Sequence, residues 1–104
     1  MAERLDKQKR KELLAAAKVK ARLEAQSQFP ATNEIIGEFF DMLDHELSQQ
    51  TCDHSLRLST QWLNENGINI EPFLQWLRDN GGYCDCEALG NVEEHWREAN
   101  HDVD

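Results

Sequence analysis

The stretch CDHSLRLSTQWLNENGINIEPFLQWLRDNGGYCDCE, residues 52–87, decides how this chain folds. It opens on Cys52-Asp53-His54 and closes on Gly81-Gly82-Tyr83-Cys84-Asp85-Cys86-Glu87, and it contains all three cysteines of the 104-residue sequence. Between these ends lie two helical patterns. Over 54–66, Leu56, Thr60 and Leu63 share a face, Asp53 is placed to cap the start, and Gly67 suits a left-handed C-cap. Over 70–79, Phe73, Leu74 and Leu77 face inward beside Trp76. Asn69 stands at the cap, Pro72 falls in the tolerated first turn, and Gly81-Gly82 stop the helix. Two antiparallel helices of similar length return the chain to where it began. The Cys-x-His pair and the Cys-x-Cys pair are therefore expected to meet.

Three thiolates and an imidazole are a tetrahedral ligand set that zinc favours. Cys52, His54, Cys84 and Cys86 are the expected ligands, and all-N/S ligation without a redox motif favours zinc over iron. A thiolate at Cys52 gains from the N-terminus of the helix that follows it. Three thiolates already leave a divalent ion with net negative charge, so Asp53, Asp85 and Glu87 are expected to surround the ligands rather than join them. Their expected work is helix capping, solvation, or accepting the free imidazole N–H of His54. A disulfide is a poor rival: the count is odd, and Cys84 and Cys86 are too close in sequence for easy geometry.

Working outward, Ile35, Phe39, Leu43 and Leu47 recur every fourth residue, with Ile36 and Phe40 beside them. This predicts an amphipathic helix over 33–49, capped by Thr32 or Asn33. After Gly90 a short helix over 92–99 would carry Val92 and Trp96, and the piece near 83–89 has room to be extended. The fold class is mainly α: a small helical domain closed by a Cys/His metal site. Hydrophobic residues are only 39% of the chain and the mean hydropathy is −0.75. Such a lean core suits a metal that contributes folding free energy. Composition excludes a membrane protein, a disulfide scaffold and a multidomain enzyme. The absence of an apolar leader at Met1 points to the cytoplasm.

Charge divides the chain. Residues 1–28 carry a net +4, residues 29–104 a net −13, and the whole −9. Every aromatic residue lies in the second part, and Pro30 disfavours helix at Phe29. The expected organisation is a long basic helical arm, 1–28, before a compact acidic domain, 29–104. The arm is rich in helix formers but its apolar stripe (Leu5, Leu13, Ala17, Ala21) is broken by Lys9 and Lys20. It reads chiefly as a solvated helix, with Lys7, Lys11, Lys18 and Arg22 roughly on one face.

The segments Cys-Asp-His-Ser-Leu-Arg-Leu-Ser at 52–59, Gly-Gly-Tyr-Cys-Asp-Cys-Glu at 81–87 and Asn91-Val92 resemble a family of small bacterial proteins of unknown function marked by this signature. The resemblance spans roughly 33–94 and implies no reaction, substrate or partner.

A closed Cys₃His site leaves no open position for a substrate, so the expected protein is a zinc-stabilised binding module and not an enzyme. Its acidic part repels phosphate, which leaves a protein partner, or nucleic acid through the arm 1–28 alone. One alternative is a metal or thiol-redox sensor, because an exposed Cys-x-Cys loop can lose metal and oxidise. A zinc hydrolase using Asp85 or Glu87 as base ranks last, because it needs one of the four ligands to be missing.

Overall fold

In a computed structural model of the chain, residues 16–100 are described. Readings that fall on 1–15, including Lys7 and Lys11, lie outside them. The described residues are helical, with no strand among them. Helix α1 runs through 16–27, followed by α2 (Asn33–Gln49), α3 (Arg57–Glu65), α4 (Ile70–Asp79) and α5 (Asp85–Glu87). A π-helical turn, Ala88–Val92, joins α5 to α6 (Glu93–Ala99). No described helix is long and apolar enough to cross a membrane.

Helix α2 is the central beam. Its start is fixed by Thr32, whose hydroxyl accepts from the Ile35 N–H at 3.3 Å, as an N-cap does. The spacing of its apolar residues buries Ile36, Phe39, Phe40 and Leu43 almost completely. The Phe39 ring lies 4.8 Å from Phe73, 5.2 Å from Phe40 and 5.7 Å from Trp62, centroid to centroid. These tilted and edge-on contacts are the arrangements aromatic quadrupoles favour. One side chain thus links α2, α3 and α4.

The two helices of the hairpin end alike. At α3, Gly67 has φ 65°, and the Ile68 N–H reaches back to the Leu63 carbonyl at 3.0 Å. At α4, Gly81 has φ 89°, and the Gly82 N–H donates to the Leu77 carbonyl at 2.7 Å. Both are Schellman caps, and each satisfies carbonyls the helix end would leave open. Gly82 has a further reason to be glycine. A Cβ there would meet Val92 Cγ2 at 2.8 Å, Ala88 Cα at 3.0 Å and the Leu77 carbonyl oxygen at 3.1 Å. Two of these atoms are backbone and Val92 is fully buried, so none can step aside. Gly82→Ala is expected to cost about 2 kcal/mol through overpacking. Urea denaturation checks this, and a change below about 0.5 kcal/mol would show that the backbone gives way freely.

Two expectations change near the chain's end. The piece near 83–89 is not extended, and Gly90 does not break a helix. Helical backbone begins at Asp85, directly after Cys84 at the N-cap, and continues to Ala99 with Gly90 inside the π turn. The wider turn absorbs the glycine without interrupting the helix. Val92 and Ala88 are buried beneath it, and Trp96 donates its indole N–H to Asn33 Oδ1 at 3.0 Å, closing α6 onto the start of α2.

Helix α1 stops just before Phe29-Pro30, as the proline requires. Phe29 then meets Trp76 edge-on at 5.7 Å, and Gln26 donates to the Ala99 carbonyl at 2.6 Å. Lys18 and Arg22 line a shallow groove with His95 and Glu98 of α6.

Candidate metal centre

The hairpin does what its length predicts. The segment before α3 and the segment after α4 lie side by side, and the Asp85 N–H donates to the Ser55 carbonyl at 2.9 Å. The Sγ atoms of Cys52, Cys84 and Cys86 lie within 4.8 Å of one another, and those of Cys84 and Cys86 are 3.3 Å apart. A tetrahedral zinc with Zn–S bonds of about 2.3 Å needs sulfurs about 3.8 Å apart. The three thiols therefore fit a thiophilic ion with shifts smaller than a bond length. All three are free cysteines, graded from buried Cys84 through half-buried Cys52 to exposed Cys86.

Cys52 and Cys84 have opposite electrostatic settings. Burial pushes the Cys52 thiol up, but the backbone N–H groups of Cys86 and His54 and the neighbouring thiols of Cys86 and Cys84 outweigh it. The result is a pKa below the ordinary thiol value. The His54 N–H lies 3.4 Å from Cys52 Sγ. Burial pushes the Cys84 thiol up to about 12; the Cys86 and Cys52 thiols and the Glu87 side chain add to this, against the backbone N–H of Glu87. A metal binding here has to displace that proton, as thiolate ligation does generally.

His54, the expected fourth ligand, is not drawn into this cluster. It is exposed and is the one described non-glycine residue with positive φ, 67°. Its backbone serves Cys52, while no imidazole nitrogen among the described residues joins the three sulfurs at their spacing. Histidine tolerates this left-handed conformation better than most residues.

The carboxylates separate by role. Asp85 is 1% exposed. Its Oδ2 accepts from the Leu58 N–H at 3.0 Å, and its Oδ1 accepts from the Ser59 N–H at 3.1 Å and the Ser59 hydroxyl at 2.6 Å. It is thus the N-terminal cap of α3, supplied from the far end of the hairpin, with the helix dipole favouring its charge. Asp53, the local candidate for that cap, instead makes an Asx turn. It accepts from the Ser55 N–H and hydroxyl at 3.1 and 2.6 Å, and pairs with Arg57 at 3.2 Å. The Ser55 hydroxyl, with its N–H and the Arg57 guanidinium, holds the Asp53 carboxyl below the usual carboxylate range. Arg57 also donates to Gln50 Oε1 at 3.0 Å, tying the loop to the end of α2. Glu87 is exposed, with its side chain beside Cys84. Ser59 is fully buried as the partner of Asp85, a burial that the face read from the sequence (Leu56, Thr60, Leu63) did not include.

No solved structure matches this chain. Uncharacterized proteins of Mycobacterium bovis and of two strains of Mycobacterium tuberculosis are 33% identical to it over 88 residues, covering 85% of this chain and 89% of theirs. The family described as "Protein of unknown function (DUF2695)" matches residues 39–91, from the centre of α2 to the π turn and across the whole cysteine site. With the long match to the mycobacterial proteins, this makes the chain a member of the DUF2695 family.

Proposed function

We propose that this protein is a small helical module stabilised by one zinc ion, with a role in binding a protein partner rather than in catalysis. The observation that carries this reading is the convergence of the Cys52, Cys84 and Cys86 Sγ atoms within 4.8 Å. Soft sulfur donors at this spacing suit zinc. His54 is the fourth ligand in this reading, reached by rotation of its exposed side chain. The ion would tie the start of α3 to the start of α5 and add its binding free energy to folding. The acidic surface of 29–104 favours a protein partner over nucleic acid, with the basic segment 1–28 as the one place for phosphate. Free thiols at this density suit a reducing compartment, the cytoplasm.

The test is the metal content of protein purified without added metal, followed by chelation. One zinc per chain, and loss of helical circular dichroism on chelation, are the expected results. Metal-free protein with full helix content and a sharp thermal transition would overturn the reading.

The exposure of Cys86, 3.3 Å from Cys84, favours a second reading as a metal or thiol sensor. Exposed thiols leave a metal and oxidise more readily than buried ones. Reversible zinc release under mild oxidation, with the α2 core still folded, distinguishes it from a permanent structural ion.

A further inference from the structure

We propose that the groove between α2 and α3 is the docking site for an arginine side chain of a basic partner protein. This rests on the protein-partner half of the reading above and not on the zinc, since no residue of the groove is a proposed ligand. The groove holds a space of about 250 Å³. Small-molecule sites run from about 300 to 1,000 Å³, so this one suits a single long side chain. Met42 of α2, with Leu58 and Trp62 of α3, supplies its apolar lining. Trp62 is half-buried and held against the buried Phe39 ring, with centroids 5.7 Å apart.

The two walls carry charge of one sign, Glu46 on α2 and Glu65 on α3. Each carboxylate is oriented by an amide four residues away on its own helix. Gln50 Nε2 donates to Glu46 Oε2 at 3.0 Å, and Gln61 Nε2 donates to Glu65 Oε1 at 3.1 Å. The second oxygen of each can accept a further N–H. Arg57 also lines the groove, but Asp53 at 3.2 Å compensates its charge and Gln50 holds it at 3.0 Å. The two glutamates therefore set the sign of the site. A guanidinium answers each feature. Its stem lies on apolar side chains, its plane lies on an indole, and its N–H fork reaches carboxylates on both walls. A lysine ammonium has no plane to lay on the ring. The surroundings agree, because residues 29–104 carry a net −13 and attract a basic segment.

The test titrates the full chain, its zinc content measured in the same sample, with a labelled octapeptide of alternating arginine and serine. Binding should be saturable and should shift the Trp62 indole N–H resonance. The double variant Glu46→Gln, Glu65→Gln should weaken it about ten-fold through loss of charge-assisted contacts. The control Glu38→Gln, Glu71→Gln removes the same charge from exposed positions outside the groove. It should change binding less than about two-fold. Lysine in place of arginine should weaken binding at least about three-fold, and citrulline should abolish it. Equal losses in the two double variants, a Trp62 resonance that does not move, or equal affinity for the lysine peptide would each overturn the inference. Zinc-loaded protein that binds no arginine peptide removes the groove and leaves the metal site standing. Metal-free, fully helical protein that binds it removes the zinc reading and leaves the groove.

Discussion

Asp85→Ala is expected to lower stability by about 3–5 kcal/mol, the range for removing one member of a buried charged network. The carboxylate receives the Leu58 N–H, the Ser59 N–H and the Ser59 hydroxyl, and Leu58 and Ser59 are buried. Alanine leaves all three without a partner, and of the side chains on the first turn of α3 only the Ser55 hydroxyl, which accepts from the Arg57 N–H at 3.2 Å, remains. Each buried unsatisfied donor costs about 1–3 kcal/mol, reduced where water enters. A domain of this size has roughly 5–15 kcal/mol in total, so the variant should lie near its unfolding threshold. Asp85→Asn is the sharper probe. It keeps the shape, but its NH₂ must face one of the three donors, so it should lose about 2 kcal/mol. Chemical denaturation measures both, and amide exchange should show α3 opening before α2. A loss below about 1 kcal/mol for the alanine variant would mean that the cap is not what holds α3 in place.

The second large effect is expected at Cys84. It is the most buried of the three thiols and stands at the N-cap of α5. Cys84→Ser replaces a soft donor with a hard one of similar size, so zinc content should fall from one per chain to near zero. Structural zinc contributes about 10–16 kcal/mol of apparent binding free energy in small zinc-folded peptides. Even a fraction of that exceeds what the α3–α4 hairpin can spare. The variant should match chelated wild type in far-ultraviolet circular dichroism, with helix lost over 52–92. Elemental analysis and thermal melting read the outcome. Full zinc content and an unchanged melting temperature in Cys84→Ser would remove Cys84 from the site.

The legible parts of the sequence were those written locally. The four-residue spacing in 33–49 specified α2 and placed Phe39 and Leu43 in its core, with Ile36 and Phe40 beside them, while Ile35 and Leu47 are only half-buried. The cap of α2 was narrowed to Thr32 or Asn33, of which Thr32 caps, and Gly67 and Gly81-Gly82 marked the ends of the hairpin helices. The cysteine cluster was legible because two helices of matched length must bring 52 and 84–86 together. The cap of α3 was not. Asp53 stands where a local rule looks for a cap, while the residue that caps is 26–27 positions away. Nor was the placement of His54, which depends on a left-handed backbone that histidine tolerates but does not announce. The π turn also escaped, because apolar spacing is read against 3.6 residues per turn and Gly90 resembles a stop.

That π turn also acts as a phase adjuster between the two ends of the domain. An α-helix turns about 100° and rises about 1.5 Å per residue. Deleting one residue among 88–92 would rotate α6 by about that angle relative to the cysteine site. The Trp96 indole would then swing away from Asn33, although every remaining side chain would be unchanged. Leu89 and Gly90 are half-buried and exposed, so their identities are less constrained than their number. The count of residues between Cys86 and Trp96 is therefore the quantity that keeps the cysteine end and the aromatic end of the domain in register.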